Sequence, residues 1–168
     1  ERGIDVALLF NESPALKLLK TLTKGVDTVS VGGRPARDLL MVEFEYGKEV
    51  KRKLVVIVNH WPSQANKPVT RRLYASAVRE IAAGYVSQGF DVLATGDFNV
   101  DSINDVPSPF DAFAGAESVL FDVDQAVRGN VAPLGLDLSQ MAPGTYFYAA
   151  GGVWNLLDRF FVSKELMS

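Results

Sequence analysis

One histidine, His60, follows the apolar, largely β-branched run Leu54-Val55-Val56-Ile57-Val58-Asn59 and precedes Trp61-Pro62. At the end of a buried strand, with its exit stiffened by proline, an imidazole can donate to a phosphate oxygen or act as a general acid. Gly96-Asp97-Phe98-Asn99 follows a second short apolar run. Two residues apart after a strand, Asp97 and Asn99 point roughly the same way. A carboxylate beside a carboxamide can orient one water while touching a phosphate oxygen or a hard cation such as Mg2+ or Ca2+. The third candidate is Asp158 in Leu157-Asp158-Arg159-Phe160-Phe161-Val162. A carboxylate buried in an apolar strand costs several kcal/mol unless paired. Adjacent strand residues face opposite sides, so Arg159 is not its partner and an orienting hydrogen bond to a histidine would be. Each has an ordinary alternative: a lone histidine is commonly structural, and Gly, Asp and Asn are turn formers.

The elements that must position these residues follow from periodicity. Ile4–Phe10 reads as a buried strand, Leu16–Leu22 as a short strand or a helical turn, and Leu39–Tyr46 as a strand. A turn at Gly47-Lys48 leads into a buried strand over Lys53–Asn59. Thr70–Ser87 is the clearest helix, with Leu73, Ala77, Ile81 and Tyr85 on its apolar face, the arginines elsewhere and Gly89 as its stop. Asp91–Ala94 is a strand. Residues 101–117 are loop-like, 118–143 carry little pattern beyond a short helix, and Thr145–Tyr148 and Trp154–Val162 form a final pair of strands around Gly151-Gly152. All three polar motifs then stand at strand ends in a mixed α/β layered domain, where loops on a rigid sheet commonly carry chemistry.

Composition narrows the classes. The chain has 168 residues, 48% hydrophobic and 22% charged, with a net charge of −3. That suits one domain over residues 1–168 and disfavours tight non-specific binding to duplex DNA, which usually needs a basic footprint. The absence of cysteine removes disulfides, thiolate metal sites and a cysteine nucleophile. There is no run of 18 or more apolar residues and no signal peptide. The opening Glu1-Arg2-Gly3 runs straight into a strand, so the chain reads as an internal segment of a longer polypeptide.

Val58-Asn59-His60-Trp61-Pro62-Ser63, Gly96-Asp97-Phe98-Asn99 and Trp154-Asn155-Leu156-Leu157-Asp158-Arg159-Phe160-Phe161-Val162-Ser163, in this order and spacing, resemble the endonuclease/exonuclease/phosphatase superfamily. Gly144-Thr145-Tyr146 is similar to a bacterial branch of it. The resemblance implies an α+β, deoxyribonuclease I-like four-layer α-β-β-α sandwich with mixed, mainly antiparallel sheets. It implies a metal-dependent phosphoesterase using Mg2+ or Mn2+ on a phosphodiester or phosphomonoester: nucleic acid, nucleotide or small phosphodiester. By that resemblance His60 assists the leaving group, Asp97 aligns the water, Asn99 binds phosphate, and Asp97 and Asn99 belong to the metal side. Asp158 orients a second histidine, Glu1 supports His60 and Arg37 contacts phosphate. The family's opening strands with an asparagine and a metal-binding glutamate, and its closing Ser-Asp-His segment, have no match here. The expectation is a fold cut at both ends, with further metal ligands outside the chain. A catalytically incompetent binding module of the same fold is the alternative, and unpaired sheet edges suggest a strand-exchanged homodimer.

Overall fold

A computed structural model describes residues 6–101, 105–114, 118–129, 135 and 137–167. A six-stranded mixed sheet organises them. Its first half is β1 (Leu16–Lys24), β2 (Leu39–Tyr46) and β3 (Arg52–His60), an antiparallel meander. Helix α1 (Pro68–Ser87) then crosses over, so β4 (Phe90–Asp97) lies parallel to β3. After β5 (Phe121–Asp122) and α2 (Val123–Gly129) comes a separate hairpin, β6 (Tyr146–Tyr148) with β7 (Val153–Asn155). Strand β8 (Asp158–Val162) inserts antiparallel between β4 and β5, and α3 (Lys164–Met167) follows.

The two faces of the sheet bury different sets. On one, Leu39, Met41, Val55, Ile57, Val92, Ala94 and Phe161 pack under α1 with Trp61, Tyr74, Phe98 and Phe113. On the other, Val42, Phe44 and Val56 form a smaller cluster with Leu8, Leu16, Leu18, Leu40, Leu54, Val58 and Leu93. Strand alternation sends Ile57, Asn59 and Trp61 toward α1 and Val56, Val58 and His60 to the opposite face.

Several expectations change. Leu16–Leu22 resolves to the strand β1. Within Ile4–Phe10 the described residues 6–10 are not a strand and not buried; Leu9 is exposed and Phe10 stacks edge-on against Phe44. Apolar character predicts burial there, but the described residues 6–10 lie outside the strands of the sheet. The fully buried residues of α1 are Thr70, Arg71, Tyr74, Ala75, Val78 and Ala82, a stripe turned one residue on from the expected face, whose four members are only half-buried. Trp154–Val162 is two strands, broken at Leu156-Leu157. Asp158 is exposed rather than buried, because β8 begins with it at the sheet's edge. Among the described residues no helix is long and apolar enough to cross a membrane.

Candidate functional site

The parallel crossover brings the C-terminal ends of β3 and β4 to the same edge, and β8 starts there running the other way. The consequence is a row of three paired residues: His60 opposite Asp97, and Asp97 opposite Asp158. Paired residues share a face, so all three lie on the side away from α1. His60 Nε2 stands 3.8 Å from Asp97 Oδ2. The three separate sequence motifs therefore meet in one place.

Asn99 closes the group. Its backbone is left-handed, at φ 50°, a conformation asparagine tolerates better than most residues. It is held on every side. The Asn99 amide donates to Asp97 Oδ1 at 2.8 Å, and Nδ2 donates to Asp97 Oδ2 and to the Trp61 carbonyl, both at 3.1 Å. Both Nδ2 hydrogen bonds tie the Asn99 side chain to the ends of β3 and β4. Trp61 is fully buried and anchored by Nε1 donating to Asn59 Oδ1 at 2.9 Å, so it is a core pillar and not a stacking surface for substrate. Asn59 also donates to the Ile57 and Thr95 carbonyls. Gly96 lets the parallel strands close: its φ is 123°, and a Cβ there would overlap the Asn59 carbonyl oxygen. Neither anchor was singled out from sequence, although Asn59 is a polar residue at an inward strand position, which is a readable signal.

Electrostatics follow from placement. Burial and then the Arg37 guanidinium hold the His60 imidazole below its ordinary value, against upward pulls from Asp97 and Asp158. Burial pushes the Asp97 carboxyl up, with Asp158 adding to the rise and the Asn99 amide, His60 and Arg37 opposing it. Arg37 is half-buried, its carbonyl accepts from the Tyr74 hydroxyl, and its Nε is buried without a hydrogen-bond partner among the described residues. An orphaned guanidinium N–H beside a histidine and an aspartate is a natural place for an anion.

At β8 the Thr145 hydroxyl accepts from the backbone amides of Leu157 and Asp158 at 3.1 and 3.0 Å. It ties the β6–β7 hairpin to the site's edge. Gly144 makes room, since a Cβ there would come within 2.6 Å of the Asn155 carbonyl oxygen. Arg159 turns to the other face and pairs with Asp122 at 2.7 Å, as alternation requires. The histidine expected to receive Asp158 is not in this chain, where His60 is alone. Glu1 lies outside the described residues. Among the described residues no three of His, Asp and Glu come together as a metal-holding group; Asp97 and Asn99 offer oxygen chemistry suited to a hard cation but only part of a donor set.

No curated protein matches this sequence. Solved structures do match. The human Nocturnin catalytic domain superposes with a TM-score of 0.60 at 15% identity, over 89% of this chain and 49% of that one. A truncated TDP2 from Caenorhabditis elegans gives 0.60 at 13%, over 89% and 53%. A mannosyl-6-phosphatase from Bacteroides thetaiotaomicron gives 0.54 at 15%, over 89% and 54%. The chain thus spans about half the length of these structures, and the likeness is one of fold: part of a deoxyribonuclease I-like sandwich, as its mixed sheet with few helices shows. The profile of the Endonuclease/Exonuclease/phosphatase family matches residues 1–168, so the chain belongs to that family.

Proposed function

We propose that the protein hydrolyses phosphate esters by attack of water, with divalent-metal dependence, at the edge where His60, Asp97, Asn99 and Asp158 meet. The observation that carries this is the His60–Asp97–Asp158 row flanked by Asn99, with the charge of Arg37 acting on His60 and Asp97. Arg37 and Asn99 are the groups to hold phosphate oxygens. Asp97, with its raised proton affinity, orients a water and draws on its proton. His60, held below its ordinary value, is neutral near pH 7 and still donates one N–H. A phosphate anion arriving beside Arg37 offsets that cation and raises His60's proton affinity, readying it to protonate a leaving oxygen. Burial keeps Asp97's proton affinity high, and the like charge of Asp158 adds to it. A bound Mg2+ or Mn2+ would supply charge neutralisation on the phosphate, with Asp97 and Asn99 as this chain's share of its donors.

The solved TDP2 from D. rerio is described in complex with a single-stranded DNA product. We propose an unpaired nucleotide or small phosphodiester as substrate here. Tyr146, Tyr148 and Trp154 of the hairpin beside the site are half-exposed, and aromatic faces stack on bases without sequence preference.

The test is hydrolysis of bis-p-nitrophenyl phosphate with Mg2+, with Mn2+ and with EDTA. His60→Ala and Asp97→Ala should each lower turnover by roughly 10²–10⁴-fold, with the melting temperature nearly unchanged for His60→Ala. An unaltered rate in either would sink the assignment. The absence of a three-carboxylate or histidine cluster among the described residues favours one second reading, a phosphate-binding module without turnover. Metal-independent binding of a phosphate ester that is never hydrolysed would establish it.

A further inference from the structure

Behind the site lies a polar network that the chemistry above does not use. The guanidinium of Arg71, in the first turn of α1, is fully buried against a fully buried carboxylate, Asp105. Arg71 Nε lies 2.9 and 3.0 Å from Asp105 Oδ1 and Oδ2, and Nη2 lies 2.7 Å from Oδ1. Its Nη1 donates to the carbonyls of Pro62, Ser63 and Asn66 at 3.3, 3.0 and 3.4 Å. These belong to the loop that leaves His60. Asp105 accepts the Asp101 amide at 3.0 Å, which belongs to the loop that leaves Asp97 and Asn99. Gln64 spans the two: its Oε1 accepts from Arg71 at 3.2 Å, and its Nε2 donates to Asp105 at 2.9 Å and to the Asn99 carbonyl at 2.5 Å.

A buried ion pair adds little net stability over an apolar pair of the same shape, so its presence calls for another reason. The geometry points to positioning: we infer that Arg71, Asp105 and Gln64 clamp the two loops and hold Asn99 in its left-handed conformation. A left-handed non-glycine residue persists only where its surroundings over-determine it. Asp97 and the Trp61 carbonyl fix the amide and side chain of Asn99, and Gln64 fixes its carbonyl. Without the clamp the His60 strand end and the Asn99 turn separate, and the phosphate-facing groups lose their mutual spacing. The inference rests on the site reading above only for its effect on turnover.

Gln64 decides the matter, because it is exposed at the surface and its loss does not empty the core, whereas Arg71→Met or Asp105→Asn risks unfolding. In Gln64→Ala the melting temperature should stay within about 2 °C, while the 13Cα and 13Cβ shifts of Asn99 move toward ordinary backbone and its amide exchanges roughly tenfold faster. With an active protein, kcat on bis-p-nitrophenyl phosphate should fall at least tenfold (about 1 Å of misplacement can cost 100-fold) with KM within twofold. Unchanged Asn99 shifts and exchange overturn the inference whatever the turnover, and so does an unchanged kcat in an active protein. An unaltered rate in His60→Ala alongside a displaced Asn99 would instead reject the site reading and leave the clamp standing.

Discussion

At His60 the balance of charges has a measurable sign. Burial and Arg37 lower its proton affinity, so between the folded midpoint and the ordinary value of 6.5 the folded chain binds fewer protons than the unfolded one. Stability from this group therefore declines as pH falls through that window. Asp97 runs oppositely: its affinity is raised above the ordinary 3.8, the folded chain binds more protons, and the contribution is lost as pH rises from 3.8 through the raised midpoint. Because the chain has one histidine, its imidazole proton resonance titrates without ambiguity. The midpoint should fall below 6.5; Arg37→Ala should raise it and Asp97→Asn should lower it further. A midpoint indifferent to Arg37 would remove Arg37 from the site. His60, Asp97 and Asn99 were legible because each interrupts or ends an apolar run that has only one way to lie in a sheet. The exposure of Asp158 was not, since a pattern of neighbours cannot say where a strand begins relative to a sheet's edge.

At the level of elements, the β3-α1-β4 unit places the site, and Gly96 is its tightest point. Gly96→Ala combines a left-handed φ with a Cβ driven into the Asn59 carbonyl. It should cost roughly 3 kcal/mol, a melting temperature lower by roughly 6–12 °C, and a site opened between His60 and Asp97. Thermal unfolding within about 2 °C of the parent would show that the strands adjust freely. The strands of this unit and its helix were readable from β-branched runs and a 3.6-residue period. The rotation of the helix was not. Arg71 reads as a surface residue because its partner Asp105 lies 34 positions away, and only tertiary structure turns that arginine inward. The Leu156-Leu157 break was hidden for a related reason: continuous apolar character is compatible with one strand or two, and the Thr145 hydroxyl that receives the Leu157 and Asp158 amides comes from another strand end.

Across the whole molecule, one aromatic cluster connects the core to the site. Phe98, set between Asp97 and Asn99 in sequence, is fully buried with Trp61 at 4.9 Å, Phe161 at 5.2 Å and Phe110 at 5.8 Å between ring centroids. Phe98→Ala should lower unfolding stability by roughly 3–5 kcal/mol in urea. Trp154→Ala, half-exposed on the hairpin, should change it by no more than roughly 0.5 kcal/mol. A reversed ranking would mean that the hairpin, not this cluster, anchors the fold. The strand order has a further outcome for how the chain matures. β8 lies between β4 and β5 although it follows both in sequence, so a ribosome that has released residues 16–97 has delivered the crossover unit with His60 facing Asp97, but not the strand that carries Asp158. The nascent protein must keep the flank of β4 unpaired while about sixty more residues emerge, and the row of three completes only then. Chain order thus lets His60 and Asp97 meet during synthesis before Asp158 reaches them.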